Sequence, residues 1–402
     1  MNVAAKAFDQ PTSLKVASSA FLIFWLLLAS FPLLWIVFMS VKLPIDSFSS
    51  DPLQVIFGYR TRGAVGGLSL IDIAAWIAAL IAAYQAVARL TRPLAERIDG
   101  GGLLGWVAAS LVTVVATAAV LILVLPPLLG AVTGALRQIP LIGLLAEPVI
   151  GNTWQHYRAV WVENEFYENF VNSLIVTAGV VTISLTVGTL AGYALARTKS
   201  SLAFWLLISA LVFRALPHSV LVTGYLPTFI SSSEWLLPLW TNPVTGWFFQ
   251  LFSERPPTLY GQPFAVIAVL VAINQPFTIW MLRSFFQNIP EELDEAALVD
   301  GCSRFEAFRR VIVPVMWPGV ITTGLFSFLL AYNDYLVTAL LLDAQNQTMV
   351  PAITQYFNRE TTTTDQVEAI AAAVSITAPL FLLVMVFQRQ IVSGLTAGAV
   401  KG

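Results

Sequence analysis

Charge is scarce in this chain: only 11% of its 402 residues are Asp, Glu, Lys or Arg. A soluble domain carries about 25% charged residues, so a fold of this length has too few to cover itself in water. Cysteine is nearly absent, Cys302 being the only one, which excludes an intrachain disulfide and any thiolate metal cluster. Two histidines, His156 and His218, leave little from which to build a zinc site. Neither sign of charge dominates, with 21 basic and 23 acidic residues and a net charge of -2, so no nucleic-acid footprint is present. What the chain has in abundance is apolar residues, at 57%, and its mean hydropathy is +0.77. These values imply an all-α integral membrane protein surrounded by lipid.

A run of about 20 uncharged residues crosses the roughly 30 Å hydrocarbon layer as a helix. Eight such runs are expected as spans: residues 18–41, 70–88, 103–128, 172–195, 202–226, 263–282, 318–341 and 367–387. Asp72 sits near the edge of the second, which leaves a re-entrant or surface segment as its alternative. The first follows Lys6 and Lys15 but is too long for a secretory h-region, and it is expected to be a retained anchor. With both termini in the cytoplasm, the inner segments hold thirteen basic residues and the outer ones seven, in the sense of the positive-inside rule. Arg60 and Arg62 run against that rule.

Polar groups within the apolar runs mark candidate pathway positions, because a charge in a bilayer is costly. Asn333 and Asp334 interrupt one span, Asn274 and Gln275 precede Pro276 in another, and Arg214 and His218 flank Pro217 in a third. The alternative is that these groups satisfy backbone freed by the prolines or mark the membrane edge.

The most informative polar stretch is residues 283–320. Pro290 suits a first helical turn, and Glu291, Glu292 and Asp294 place acidic charge at the positive end of a short helix. Leu293, Ala296 and Ala297 are expected on one side of it, with the two alanines allowing close approach of another surface. Gly301 supplies the left-handed turn that ends it. Ser303 and Glu306 form an S-x-x-E capping box for a second helix, on which Phe305 and Phe308 face apolar surface while Arg309 and Arg310 meet water or headgroups. Pro314 and Pro318 are expected to interrupt the chain before it re-enters the membrane. The product is a helix, turn, helix arm at residues 290–313, suited to docking and not to catalysis.

The run "EAALVDGCSRFEAFRRVIVPVMWP" resembles the signature of permease subunits of binding-protein-dependent ABC importers, and more closely the carbohydrate-importing subset related to the second permease of the maltose transporter. Glu295, Ala296 and Ala297 match its opening triplet, Asp300 and Gly301 its D-G, and Phe308, Val311, Val313 and Pro314 its end. Cys302, Val311 and Val313 depart from the usual alanine, isoleucine and leucine. "FYENFVNSLIVT" with Asn172, Ser173 and Leu174, "AGYALAR" ending at Arg197, "AYNDYL" and the tail "GLTAGAVKG" extend the resemblance from about residue 154 to the end. The stretch 42–153 does not match. The resemblance therefore implies residues 1–41 as tail and first span, 42–153 as an inserted region with two spans, and 154–402 as a permease core. It yields a six-span core plus two inserted spans, eight in all. Some members of the subset that import α-glucosides have a similarly enlarged permease.

The resemblance implies partners: a second permease, two ATPase subunits, an external or periplasmic solute-binding protein, a small sugar and membrane lipid, with no nucleic acid. It places the chain in a bacterial inner or plasma membrane. ATPase docking is expected through Glu295, Ala296, Ala297, Asp300, Gly301 and Pro314, Asp300 bracing the turn. The tail, residues 394–402, is expected to contact the ATPase pair through Gly394, Leu395, Thr396, Gly398 and Lys401. Asn333 and Asp334 are pathway candidates. The chain itself is not expected to be an enzyme or to bind a cofactor: a Walker A loop needs glycine before its lysine, and the five lysines follow Ala5, Leu14, Val41, Thr198 and Val400. ATP and Mg2+ belong to the ATPase subunits. The competing readings are an ion-coupled secondary transporter with Asp334 as coupling carboxylate, a membrane scaffold, and an importer of a polyol or glycerol phosphate.

Overall fold

A computed structural model describes residues 12–99, 103–140, 143–198, 200–214, 218–250, 256–358 and 362–399. The chain divides into two compact units, Met1–Val160 with Arg359–Thr377, and Trp161–Asn358 with Ala378–Gly402.

In the first unit, helix α1 (Thr12–Ser40) leads into short helices Pro44–Ser47, Pro52–Phe57 and Tyr59–Val65. Strand β1 (Gly67–Ser69) then pairs antiparallel with β2 (Pro148–Gly151). Between the strands run α2 (Leu70–Asp99), α3 (Leu103–Ala119), a π-helical turn at Val120–Val124, and α4 (Leu125–Leu136). The stretch between the strands is thus a helical hairpin leaving and rejoining a small polar layer.

Buried polar contacts hold that layer together. The Asp46 carboxylate accepts from Thr61 N at 2.6 Å, Thr61 Oγ1 at 2.7 Å and Gln54 Nε2 at 2.9 Å. Burial alone would raise its pKa, but these hydrogen bonds outweigh that effect and hold it below the usual carboxylate value. The fully buried Lys42 ammonium donates to the Gly151 carbonyl. Desolvation brings its pKa down to about 8 although Asp46 opposes the shift. The His156 ring lies 3.0 Å from the Lys42 carbonyl, and Tyr157 and Ser40 hydroxyls are 2.8 Å apart.

Asp72 is satisfied in the same way. Its carboxylate accepts from Ser69 N at 2.9 Å and Ser69 Oγ at 2.7 Å, while Asp72 N donates to Ser69 Oγ at 3.1 Å, so the two residues form a capping box over the first turn of α2. The helix runs past the expected end at residue 88, through Pro93 to Asp99. Thr91 Oγ1 on α2 meets Thr113 Oγ1 on α3 at 3.1 Å, beside buried Ala95 and Ala109. Small residues let two lipid-embedded helices approach in this way.

The second unit is built on α5 (Phe166–Arg197), α6 (Ser201–Arg214), α7 (His218–Ile230) and α8 (Pro263–Phe286). Next come α9 (Glu292–Val299), a short helix Arg304–Ala307, a π-helical turn Phe308–Ile312, and α10 (Val313–Tyr332). Helices α11 (Leu336–Leu341) and α12 (Met349–Asn358) follow, and α13 (Thr363–Ala399) is shared between the units. Val176 and Val180 of α5, Val266, Val269, Leu270 and Ile273 of α8, and Val337 and Leu341 of α11 form one buried core. Helices α5 and α8 meet closely at Gly192, where an added Cβ would lie 3.1 Å from Arg283 N.

Among the described residues, seven helices are long and apolar enough to cross a membrane, not eight. The expected span 202–226 is described as α6, Ser201–Arg214, and α7, His218–Ile230, and residues 215–217 between them, Pro217 included, lie outside the described residues. The expected span 318–341 is displaced: the crossing-length helix is Arg304–Tyr332, and the chain leaves it at Asn333. Pro314 and Pro318 do not interrupt this helix. Pro314 stands in the first turn of α10, where no N–H is needed, and the preceding π-helical turn takes up the local adjustment, Val313 N reaching Phe308 O.

Candidate functional site

The arm is assembled by local rules that the sequence states plainly. Three acids, Glu292, Asp294 and Glu295, occupy the first turn of α9. At its other end Gly301 has φ 88°, Gly301 N donates to Leu298 O at 3.1 Å, and Cys302 N donates to Ala297 O at 3.0 Å. That pair of bonds is a Schellman motif, and it needs a residue free of a Cβ at Gly301. Ser303 then caps the next turn: Glu306 N donates to Ser303 Oγ at 3.3 Å and Ser303 N to the Glu306 carboxylate at 3.0 Å. Both expected devices, the glycine turn and the capping box, are present.

Two face assignments need correction. Ala296 and Ala297 do not share a side, because adjacent helical residues point about 100° apart. Ala297 is 6% exposed and faces the chain's own core, whereas Glu295 and Ala296 are exposed. Phe305 and Phe308 differ in burial: Phe308 is buried against Tyr193, with ring centroids 4.8 Å apart, while Phe305 is exposed although its ring lies 6.3 Å from that of Phe308. The outward surface thus joins Glu292, Glu295, Ala296 and Val299, which share one helical face, to Phe305 beyond the turn. Val299 is 87% and Phe305 63% exposed. Asp300, Gly301, Arg309, Arg310 and Pro314 are also exposed.

Underneath, Leu282, Phe286, Ile289, Phe308, Ile312, Met316 and Val320 form a buried cluster that includes the ends of α8 and α10. Set into it is a polar clamp that sequence reasoning missed. The Asp294 carboxylate accepts from Arg197 Nε at 2.8 Å and from Tyr193 Oη at 2.6 Å, and Arg197 Nη2 lies 2.7 Å from it as the ion pair. Arg197 Nη1 also donates to the carbonyls of Phe286 and Ile289, at 3.3 and 3.2 Å. The two charged side chains are 18% and 15% exposed, so this pair is shielded from solvent far more than a surface salt bridge. Removing one partner of a fully buried pair costs about 3–5 kcal/mol, an upper bound here. The available signal was Tyr193 and Arg197, four residues apart on one helical face within "AGYALAR".

At the other end of α5, Asn169 Nδ2 donates to Gln347 O at 2.9 Å, and Asn172 Nδ2 to Gln347 O and Gln345 O at 3.2 and 3.3 Å. Ser173 Oγ accepts from Met349 N at 2.9 Å, capping α12. The run Asn172–Leu174 thus starts a span and also fixes the loop before α12.

Asn333 and Asp334 are not inside a span, as expected from sequence, but in the break after α10. Asn333 Nδ2 donates to Leu329 O at 3.1 Å, and Asp334 Oδ1 accepts from Thr338 N at 3.0 Å. Short polar side chains that bond nearby backbone end one helix and start the next. Asn274 instead ties α8 to α10, donating to Ser327 Oγ at 2.7 Å, and Gln275 Nε2 donates to Ser184 O on α5 at 3.3 Å. The Arg214 guanidinium lies over the Phe277 ring, 4.7 Å from its centroid. Gly394, Leu395, Thr396 and Gly398 continue the helical backbone of α13 instead of forming a separate tail, and Lys401 lies outside the described residues. Among the described residues there is no group of three or more His, Cys, Asp or Glu suited to a metal.

Residues 184–396, more than half of the chain and including the whole arm, match the family described as binding-protein-dependent transport system inner membrane component. The chain belongs to this family. Among its relatives, the diacetylchitobiose uptake system permease protein DasC of Streptomyces coelicolor is 34% identical over 62% of this chain and 81% of its own length. The trehalose transport system permease protein SugB of Mycobacterium tuberculosis is 31% identical, over 62% of this chain and 82% of its own. The trehalose/maltose transport system permease protein MalG of Thermococcus litoralis is 31% identical, over 58% and 74%. These relatives are transport permeases, and this chain is a multi-pass membrane permease of the same kind.

Proposed function

We propose that the chain is one of two permease subunits of an ATP-driven, binding-protein-dependent sugar importer and forms half of its translocation pathway. The observation that carries this reading is the arm within the family match: a folded helix, turn, helix whose outer face shows Val299 and Phe305 beside Glu295. Exposed apolar side chains beside acids on a polar element suit docking of a partner. ATPase subunits seat on Glu292, Glu295, Ala296 and Val299, with Phe305, Asp300 and Gly301 at the edge, while Ala297 supports that face from within. Pro314 sets the arm's exit into α10, and the end of the chain, residues 394–402, completes the ATPase interface.

Closure of the ATPase pair then moves the arms, and the cavity between permeases changes from inward- to outward-facing. It is a population shift driven by nucleotide state. Asn333 and Asp334, in the break after α10, border the pathway near its outer end. Both termini are cytoplasmic, and residues 70–136 add two crossings without altering the orientation of the downstream spans. The names of the sugar-transporting relatives support a small sugar as the substrate class, and an α-glucoside is the first to test. ATP and Mg2+ reside in the partner subunits.

The tagged chain, isolated from its own membrane in mild detergent, brings down a second permease and a P-loop ATPase whose hydrolysis rises with the sugar-loaded binding protein. Recovery of well-folded chain with no ATPase subunit contradicts the proposal.

A further inference from the structure

Two sets of contacts lie at opposite ends of α5, and both engage segments distant in sequence. At one end Tyr193 and Arg197 hold Asp294 of the arm, with three contacts of 2.6 to 2.8 Å. At the other end Asn169, Asn172 and Ser173 hold the loop that leads into Met349. That loop is also tied back to the start of α8, since Asn346 Nδ2 donates to Gly261 O at 2.8 Å. Between the two ends α5 is a single helix of 32 residues, about 48 Å long at 1.5 Å per residue. A helix packed along its length against α8 and α10 transmits displacement as a rod, because close-packed interiors do not deform continuously.

We propose that Tyr193, Arg197 and Asp294 lock the arm to α5, so that α5 carries nucleotide-driven movement of the arm as a rigid rod to the loop at residues 343–348. This deepens the permease reading and rests on it. Asp294 is a positioning residue: it faces inward, opposite the surface of Glu295 and Val299, and works by making arm and span one body. An arm hinged freely at residues 287–291 would let the ATPase pair close without moving the span.

The test uses the whole importer in membrane vesicles, with Cys302→Ala as background and a reporter thiol at position 345. Gln345 is exposed, and it is its backbone carbonyl that Asn172 holds, so Gln345→Cys keeps the contact. The rate of maleimide labelling is measured with and without a non-hydrolysable ATP analogue. With the clamp intact, nucleotide changes the rate several-fold. Asp294→Asn reduces that response to less than half, and Asp294→Glu, which keeps the carboxylate, restores most of it. Should Asp294→Asn fail to insert, Tyr193→Phe removes one hydrogen bond while keeping the charges and gives an intermediate loss. A full response in Asp294→Asn, or in Tyr193→Phe where only that variant inserts, at equal bound ATPase overturns the proposal. So does a complex that binds ATPase but shows no response at position 345 with the clamp intact. A chain that binds no ATPase at all overturns instead the permease reading beneath it.

Discussion

Gly301→Ala isolates the contribution of one backbone conformation to docking. An added Cβ at this position meets nothing within 4 Å, so no steric clash enters the result. The entire cost comes from φ 88°, which an L-residue adopts at a penalty of about 1–2 kcal/mol. That energy corresponds to about a 5–30-fold change in the balance between the Schellman turn and an opened one. Opening releases the bonds from Gly301 N and Cys302 N and swings the Ser303–Glu306 cap away from α9. Glu295 and Val299 then no longer share a fixed surface with Phe305. The expected result is a several-fold loss of ATPase retained per permease in mild detergent, and a parallel loss of binding-protein-stimulated hydrolysis. Gly301→Asn is the control, since asparagine enters the left-handed region more readily, and it should retain clearly more ATPase than Gly301→Ala. Gly301→Asp should be worse than Gly301→Asn, because it adds a negative charge at the negative end of α9 beside Asp300. Alanine behaving as wild type, or asparagine as poorly as alanine, would mean that the left-handed turn at Gly301 does not hold the docking surface together.

Other consequences are equally direct. Thiols introduced at positions 60 and 158, both in the polar layer, should label from one side of the membrane, and a thiol at position 97, near the far end of the 30-residue α2, from the other; labelling of all three from one side removes the inserted crossings. Lys42 has its pKa lowered from 10.5 to about 8 by burial, so between those values the unfolded chain holds the proton that the folded chain has lost. Stability should therefore rise with pH across that window. The thermal midpoint of wild type relative to Lys42→Met should increase from about pH 7.5 to about pH 9.5, and a flat difference contradicts the burial argument. Deleting residues 394–402 should leave insertion intact and lower uptake more than subunit abundance; unchanged uptake at equal abundance excludes a role for this end of the chain.

What could be read from sequence tracked the range of the physics. Gly301, Ser303 and Glu306 act within three residues of themselves, and the turn and the cap were both legible. The long apolar runs were legible because the bilayer imposes a length, although their limits shifted wherever a polar residue had an unforeseen partner. Asp72 left a re-entrant or surface reading open for the second run, whereas its partner Ser69 makes it part of a helix cap, and Pro314 looked like a break until the preceding π-helical turn absorbed it. The clamp was invisible for a different reason: Asp294 and Arg197 are 97 residues apart, and nothing local to Asp294 distinguishes an inward acid from the outward Glu295 beside it.

Import of sugar across a membrane, driven by ATP hydrolysed in partner subunits, is the activity proposed for this chain and its complex. Proteoliposomes containing the purified complex and its binding protein, loaded internally or supplied externally with ATP according to orientation, test it with radiolabelled α-glucosides and chitobiose-type disaccharides. At least one sugar should accumulate against its gradient only when ATP and binding protein are both present, and a proton or sodium ionophore should leave accumulation intact. Accumulation that persists without ATP and collapses with the ionophore would contradict it and make the chain an ion-coupled transporter.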